Sequence, residues 1–415
     1  MTKAGPTARP EPLISAPAPP SRATAAPAPA APRRLLGVDV ARAVAVLAMF
    51  AAHVGPNPEP SGAGWLMVAA DGRAPAVFTL IAGFSLALAH GGRQPRRAPG
   101  GFRAVAVRCA IMALLGLLLT AQPGVLIILT FYAAYFLAAE PFTRLRPAVL
   151  TACAAAGVVL GPLLSYVIGP LTGHWASGRG GTPALSDFTT WSGAFDFFDK
   201  LLVTGAYPFL TYFPYVLVGL ALGRLVDVHR TRPVLRMTLW GAAAAVAGHG
   251  ISWWAVEHGG GRQALLEGIA RHHSWAMDRP DPIVSVLAHQ VGAIPSTDWH
   301  WLLLSRPYSQ TPFETLANAG VGAAVIGLCL FVVRVRPLAA VLNPLAVTGT
   351  MALSVYVVHA FAISNFVHGP DGWVKLLWFC TTAVVGCWVW QRCFARTALR
   401  YGPLESALRA VTRKL

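Results

Sequence analysis

The stretch RRLLGVDVARAVAVLAMFAAHVG, near the start of the chain, holds three side chains that could take part in chemistry. Asp39 and Arg42 are three residues apart, so a helix places them on one face, close enough to form an ion pair. His53 follows about 21 Å further along such a helix, at 1.5 Å per residue. A histidine suits proton transfer near neutral pH, so His53 could act as a general base or as a nucleophile. The alternative is that the ion pair only orients the helix and that His53 lies at the membrane surface.

Further polar side chains stand inside or beside later apolar segments. His359 lies within the apolar run NPLAVTGTMALSVYVVHAFAISNF, three residues after Tyr356. A polar group surrounded by lipid needs a partner, so we expect this helix face to point into a bundle. His359 is then either a hydrogen-bonded structural residue or a second catalytic histidine beside His53. Asp71, a third candidate catalytic residue, and Arg73 could pair with each other or orient His53.

A basic segment, GGRQPRRAPGGFRAVAVR, separates the second and third apolar segments. Guanidinium groups bind phosphate through paired hydrogen bonds, so this segment could hold an anionic ligand. The same arginines could instead serve only to orient the chain in the membrane. The candidate substrate-binding or cofactor-binding residues are Asp39, Arg42, Arg73, Arg93, Arg96, Arg97 and Arg103.

Composition indicates which kind of fold must position these residues. Of the 415 residues, 55% are hydrophobic and 12% are charged, and the mean hydropathy is +0.54. Soluble domains average about a quarter charged residues, and about 20 apolar residues are enough to cross a bilayer. A single water-soluble fold is therefore excluded. We predict an all-α integral membrane protein, a bundle of about ten transmembrane helices at 36–55, 74–90, 104–121, 124–139, 148–168, 205–224, 234–255, 314–333, 345–365 and 373–393.

The distribution of charge predicts the orientation of these segments. The formal net charge is +16, and lysine and arginine favour cytoplasmic loops of membrane proteins. If the first segment starts inside, most of the basic residues fall on the inner side and most of the acidic ones on the outer side. Both termini are then cytoplasmic, and the positive charge needs no nucleic acid partner. The abundance of Ala, Gly, Pro and Arg favours a bacterial source, so we expect the bacterial cell membrane.

The rest of the chain divides into a tail, two long loops and a C-terminal segment. Residues 1–34 are rich in Pro and Ala, lack the apolar core of a signal peptide, and are expected to be a disordered cytoplasmic tail. Residues 35–396 form the polytopic domain. Its outer loops, at about 169–204 and 256–313, are either an extracytoplasmic lid or loosely ordered linkers. Residues 397–415 read as a cytoplasmic amphipathic segment.

Three stretches together resemble a known family of membrane proteins. They are R-L-x-G-x-D-x-x-R-x-x-A in the first segment, DGRAPAVFTLIAGFSLALAH in the second, and RYGPLESALRAVTRKL at the C-terminus. In this order they are similar to the YeiB-type bacterial family and to the related transmembrane acetyltransferases typified by heparan-α-glucosaminide N-acetyltransferase. The matching residues of the second and third stretches are Gly72, Arg73, Ala76, Phe78, Leu80, Ala82, Gly83, Ser85, Gly402, Pro403, Leu404, Glu405, Arg409 and Thr412. The chain departs from the pattern at three positions. The family usually has Gly in place of Ala43 and Trp in place of Ser406, and many of its members have Asn in place of His53.

The resemblance implies acyl transfer across the membrane. An acetyl group would pass from cytoplasmic acetyl-CoA to a hydroxyl or amine near the outer face, on a sugar, a lipid-linked acceptor or a secondary metabolite. His53 would be the general base or would carry the acyl group transiently, although the catalytic histidine of the family lies somewhat later, where this chain has no matching histidine. The implied partners are membrane lipid and a small-molecule or glycan acceptor, with no metal and no nucleic acid. The sequence leaves open whether the chain forms a homo-oligomer.

Two other functions remain open from the residues alone. Ten segments could divide into two inverted halves of five, as in many secondary transporters, and Pro208 and Pro214 could break the sixth segment around a central site. Against a transporter, the halves show no internal similarity. A regulatory membrane subunit without chemistry of its own is the third reading, and it predicts that changes at His53 and Arg73 leave activity in cells untouched.

Overall fold

The computed structural model describes most of the chain from residue 34 onward. Residues 35–415 belong to one compact unit. The described residues are 1, 2, 5, 34–57, 62–95, 101–122, 124–172, 181–365 and 372–413. The predicted disordered tail therefore lies almost entirely outside the described residues.

Helices form all the regular structure of the described residues, which contain no β-strand. This confirms the predicted all-α class. The α-helices in chain order are α1 (Leu36–Val54), α2 (Trp65–Ala70), α3 (Ala74–Ala89), α4 (Gly101–Leu119), α5 (Leu129–Ala139), α6 (Pro147–Ile168), α7 (Trp191–Asp199), α8 (Phe209–Leu225), α9 (Thr231–Glu257), α10 (Gly261–His272), α11 (Pro282–His289), α12 (Pro312–Val332), α13 (Arg336–Val341), α14 (Asn343–Thr350), α15 (Ala352–Asn365), α16 (Trp373–Cys393) and α17 (Pro403–Thr412).

Five helical stretches of the described chain are long and apolar enough to cross a membrane: α1, α4, Pro147–Thr172, α12 and α16. Two bent pairs, Trp191–Thr204 with α8 and α14 with α15, raise the number to seven if each pair is one span. The chain is therefore a multi-pass helical membrane protein with five to seven candidate spans. Each of the ten predicted segments overlaps a helix or the α14–α15 pair. How many of them cross the membrane stays a prediction.

Burial separates the central helices from the peripheral ones. In α1 and α12, 61% of the most apolar window is buried inside the protein, against 11% in α16. Exposed apolar side chains such as Val374 and Trp378 cover α16. Since a lipid-facing surface is apolar, α16 has the character of an outer helix, whereas α1 and α12 form the centre of the bundle.

Small residues let the central helices approach one another closely. A Cβ atom added to Gly83 of α3 would collide with the carbonyl of Val216 in α8. In the same way, a Cβ on Gly241 of α9 would lie 2.7 Å from the carbonyl oxygen of Gly320 in α12. Close backbone contact is how helices pack when lipid removes the hydrophobic driving force. These contacts make α3–α8 and α9–α12 tightly packed pairs.

The segment predicted as one helix at 345–365 is broken. The break lies at Met351, between α14 and α15, whose axes differ by 80°. The start of α15 is held by Glu405 of α17, whose carboxylate accepts hydrogen bonds from the backbone N–H groups of Leu353, at 2.9 Å, and Ser354, at 3.1 Å, and from the Ser354 hydroxyl at 2.5 Å. A carboxylate satisfies the free N–H groups of a helix N-terminus and complements its dipole. The break is therefore stabilised from more than fifty residues away.

The loop at 256–313 is folded over its described length. Its helices α10 and α11 contribute to a small apolar cluster that also contains the buried Trp301 ring. The α10 helix buries Leu265 and Ile269 on one face, against this cluster. Met277, beyond the end of α10, is exposed. A packed cluster of this kind excludes a loosely ordered linker here.

Asp281 fixes the start of α11 inside this loop. Its carboxylate accepts from the backbone N–H of Val284 at 3.1 Å and forms an ion pair with Arg306 at 2.6 Å. Burial alone would raise the pKa of Asp281, but the Val284 N–H and the Arg306 guanidinium outweigh it and hold the pKa below its usual value. Asp281 therefore joins α11 to the chain segment that leads into α12.

Candidate functional site

The structure brings His53 and His359 together. His53 lies in the last turn of α1 and His359 in the middle of α15, and His53 Nδ1 is 3.2 Å from His359 Nε2. The two rings are nearly parallel, with an interplanar angle of 10°. His359 is buried, packed against the rings of Phe50 and Tyr356, whereas His53 is half-buried. The structure therefore places His359 against His53, and whether His359 has a structural or a catalytic role stays a prediction.

One proton is shared between the two facing ring nitrogens. If His53 Nδ1 carries it, His53 donates to His359 and keeps a lone pair on Nε2, from which it can accept another proton. If His359 Nε2 carries it, His53 Nε2 is protonated instead. The other nitrogen of His359, Nδ1, is buried and has no hydrogen-bond partner among the described residues. In either arrangement, His53 Nε2 is the nitrogen left to exchange a proton with a substrate.

Asp71 and Arg73 do not interact as predicted. The Asp71 carboxylate accepts from the Tyr308 hydroxyl at 2.6 Å, and Arg73 Nη1 donates to the carbonyl of Val68 at 2.5 Å. In the described structure the two side chains bond neither to each other nor to His53, so the expectation that they pair or orient His53 is wrong. Arg73 binds a backbone carbonyl near the C-terminal end of α2, where carbonyl groups lack helical partners. Tyr308, which binds Asp71, belongs to a distant part of the chain.

Tyr308 is the hydrogen-bond donor to Asp71. Burial raises the pKa of the Tyr308 hydroxyl, and the negative charge of Asp71 raises it further, so Tyr308 stays a hydrogen-bond donor at neutral pH. Tyr356, whose ring packs on His359, accepts a hydrogen bond from the backbone N–H of Ile128 at 3.1 Å.

The sequence did not indicate one further residue, a buried carboxylate close to Tyr308 in the chain. Glu314, in the first turn of α12, is 4% exposed. It accepts from the Ser309 hydroxyl at 3.0 Å, from Asn318 Nδ2 at 3.3 Å, and from the backbone N–H of Gln310. Thr311 caps the helix by accepting from the Glu314 N–H at 3.1 Å. The pattern Thr-Pro-Phe-Glu resembles a capping box with proline at the first helical position, and this signal could have located the residue.

The polar groups fall at two ends of the bundle. We call the end that holds His53, Arg73 and Glu314 the His53 end. It collects the last turn of α1 and the first turns of α3 and α12. The opposite end, where α1 begins and α8 finishes, is the Asp39 end. His53 and Arg93, the first arginine of the basic segment, therefore lie at opposite ends.

The predicted Asp39–Arg42 ion pair is confirmed. Arg42 Nη1 lies 2.5 Å from Asp39 Oδ1, and the aspartate is buried. Gly349 of α14 packs directly on the backbone carbonyl of Asp39, where a Cβ atom would have no room. The ion pair therefore lies at the Asp39 end of the bundle, where α1 contacts α14.

The basic segment is only partly described. Arg93 Nη1 lies 3.4 Å from Asp227 Oδ2, and Arg103 is exposed at the start of α4. Arg96 and Arg97 lie outside the described residues. The described arginines of this segment are Arg93, beside Asp227 just past the end of α8, and Arg103 and Arg108 of α4.

The helical membrane fold and the histidine pair define a class of multi-pass membrane protein with a polar centre at one end. Comparison with protein-family models identifies its family. The model described as heparan-alpha-glucosaminide N-acetyltransferase, catalytic, matches residues 34–253, more than half of the chain, and a model for proteins of unknown function (DUF418) matches 261–414. The chain belongs to the heparan-α-glucosaminide N-acetyltransferase catalytic family, as the resemblance to that family and to the YeiB-type family implied. A search of curated proteins finds no match.

The two matched regions meet at the histidine pair. His53 lies within the acetyltransferase match, and His359, Tyr308 and Glu314 lie within the second. Neither region alone therefore contains the complete polar centre.

Proposed function

We propose that the protein is a membrane-bound acetyltransferase that moves an acetyl group from acetyl-CoA to a hydroxyl or amine acceptor. The observation that carries the proposal is the His53–His359 hydrogen bond of 3.2 Å, which leaves one nitrogen of a half-buried histidine available for proton transfer. His53 belongs to the region that matches the acetyltransferase family. The acceptor class that we propose is a sugar, a lipid-linked compound or a secondary metabolite.

In this proposal, His53 acts as a general base. His359 accepts a hydrogen bond from His53 Nδ1–H and so leaves the lone pair of Nε2 to face the acceptor. His53 Nε2 takes the proton of the acceptor hydroxyl or amine, whose oxygen or nitrogen then bonds to the acetyl carbon. Acetyl-CoA supplies an activated thioester, whose C–S bond breaks and whose sulfur leaves as thiolate. His53 returns its proton to that thiolate or to water. General-base catalysis of this kind contributes about 10²- to 10⁴-fold.

The remaining site residues have supporting roles. We propose that Tyr308 holds Asp71 at the acceptor side, and that Asp39 and Arg42 brace the Asp39 end of α1. Arg93 and Arg103 stand where they could attract the phosphates of the donor. The α1 helix, with 19 residues, spans about 28 Å between the two ends at 1.5 Å per residue. The acetyl-carrying arm of the donor must therefore enter the bundle to reach His53.

We further propose ten spans in a bacterial cell membrane, with both termini in the cytoplasm. The excess of basic residues at the predicted inner loops supports this orientation, since such residues favour the cytoplasmic side. The donor then binds from the cytoplasm at the Asp39 end, and the acceptor meets His53 at the outer face. The folded 256–313 loop would cover the acceptor side.

Thermal unfolding with the donor tests the proposed function. The purified protein is titrated with acetyl-CoA, with equimolar ATP as the phosphate control, and His53→Ala is measured in parallel. A ligand at 100 times its dissociation constant adds about 2.7 kcal/mol to the free energy of unfolding. We expect a saturable rise in Tm with acetyl-CoA, none with ATP, and the same rise in His53→Ala. A well-folded protein that does not respond to acetyl-CoA would refute the proposal.

The broken α14–α15 helix favours one other function. Discontinuous helices line the binding sites of many secondary transporters, and the 80° break directly precedes α15, the helix that holds His359. Uptake into proteoliposomes is the corresponding assay. Substrate accumulation together with no response to acetyl-CoA would make transport the better conclusion.

A further inference from the structure

Arg224 is a buried charge that neither the sequence motifs nor the proposed mechanism uses. It lies in the last turn of α8, at the Asp39 end, and is 3% exposed. Its Nη1 atom donates to the backbone carbonyl of Gly92 at 3.1 Å. Its Nε and Nη2 atoms are buried and have no hydrogen-bond partner among the described residues. One side of this guanidinium is therefore anchored and the other is unsatisfied.

The two unsatisfied nitrogens form one edge of the guanidinium plane. Nε–H and Nη2–H point in the same direction, and this is the edge that binds a phosphate or carboxylate through two parallel hydrogen bonds. A buried charge without a partner is unfavourable, although the dipole of the α8 C-terminus offsets part of that cost. An anion at the Nε–Nη2 edge would satisfy both donors and the charge.

The nearest acidic side chain in sequence does not supply this anion. Asp227 follows three residues after Arg224, but its Oδ2 atom lies 3.4 Å from Arg93 and 3.4 Å from Arg230. Its Oδ1 atom accepts from the backbone N–H of His229 at 3.1 Å. Both oxygens are therefore engaged elsewhere, and the partner of Arg224 must come from outside the described chain.

We propose that the Nε–Nη2 edge of Arg224 binds a phosphate group of a ligand that enters at the Asp39 end. The Gly92 carbonyl that anchors Arg224 directly precedes Arg93, so the site lies beside the basic segment. The Arg93–Asp227 ion pair also joins the segment after α3 to the segment after α8. Because this ion pair is long, at 3.4 Å, and its arginine is exposed, it is the contact that opens to admit the anion. Identification of the ligand as acetyl-CoA rests on the proposed function. The inference that Arg224 binds a phosphate group does not depend on it. A phospholipid headgroup offers the same chemistry.

Binding measurements on three variants test the proposal. Arg224→Gln removes the charge, Arg224→Lys keeps it but loses the paired donors, and Arg230→Gln is the matched control at an exposed arginine of the same corner. The probes are acetyl-CoA, inorganic pyrophosphate, and nanodiscs of phosphatidylglycerol or phosphatidylcholine. We expect both Arg224 variants to weaken binding of the phosphate probe about tenfold or more, and Arg230→Gln to change it less than twofold.

The outcomes separate this proposal from the proposed function. In one outcome, wild type binds pyrophosphate or phosphatidylglycerol, this binding depends on Arg224, and acetyl-CoA does not bind. The phosphate site then stands and the acetyltransferase proposal fails. If folded Arg224 variants bind every probe as wild type does, the phosphate site is refuted. Hydrogen exchange of residues 88–95 in wild type gives a measurement that needs no variant. We expect slower exchange with the bound probe, and unchanged exchange at saturation contradicts the site.

Discussion

Replacing Glu405 by alanine removes the carboxylate that holds the start of α15. Three hydrogen bonds are lost, from the Leu353 N–H, the Ser354 N–H and the Ser354 hydroxyl. A backbone donor left without a partner costs about 1–3 kcal/mol when buried. The site is only partly buried, so water recovers some of this cost, and we expect a loss of about 2–3 kcal/mol for the two N–H groups. Glu405→Gln keeps an acceptor oxygen and should lose about 1 kcal/mol through the charge.

The same change should reach the histidine pair. His359 lies five residues after Ser354, about 7.5 Å further along α15, so a loosened helix start displaces its ring from His53. A displacement of about 1 Å in a catalytic group can lower the rate about 10²-fold. We therefore expect Glu405→Ala to lower kcat while the affinity for acetyl-CoA is kept, and Glu405→Gln to restore most of the rate.

Thermal unfolding and CoA release measure both effects on the same preparations. Glu267→Ala, at an exposed acid on α10, is the control and should change the free energy of unfolding by less than about 0.5 kcal/mol. If Glu405→Ala unfolds at the wild-type temperature and retains the wild-type kcat, Glu405 does not hold α15 and the reasoning is refuted.

Three further changes test the packing and the loop contacts. Gly349→Ala inserts a Cβ against the carbonyl of Asp39 and should destabilise the protein by about 1–3 kcal/mol in thermal unfolding; an unchanged Tm contradicts the α1–α14 contact. Tyr308→Phe removes the donor to Asp71 and should cost about 1 kcal/mol in the same assay, whereas equal stability shows that the bond contributes nothing. The pKa of Asp281 is depressed in the folded loop, so its stabilisation is present above the unfolded value of about 3.9 and is lost as the pH falls through the folded pKa. Proteolysis of 256–313 should therefore rise below about pH 4 in wild type, and should be faster at pH 7 in Asp281→Asn with little further change; equal digestion of both proteins at pH 7 argues against this role.

Hydropathy was sufficient to locate the ten apolar segments, each of which overlaps a helix or the α14–α15 pair, because each apolar run is read from its own residues. It was not sufficient to find the break at Met351. The residues around this position are compatible with a continuous helix, and the carboxylate that stabilises a second N-terminus belongs to Glu405, far along the chain. Long-range satisfaction of backbone N–H groups therefore decides the shape of this segment.

The candidate site shows the same division between local and distant contacts. Asp39 and Arg42 are helix neighbours, so their ion pair followed from spacing alone. Asp71 instead bonds to Tyr308, 237 residues away, and no local pattern could indicate that partner. The two histidines were both visible as polar residues in apolar runs, but their 3.2 Å contact depends on how α1 packs against α15.

The most direct test of the account measures acetyl-CoA binding and release of free CoA thiol, with and without acceptor, in wild type and in His53→Ala. His272→Ala, at an exposed histidine, is the control. We expect His53→Ala to bind acetyl-CoA with wild-type affinity but to release CoA about 10²- to 10⁴-fold more slowly, and His272→Ala to match wild type. CoA release by His53→Ala at the wild-type rate would contradict the role of His53 as the general base.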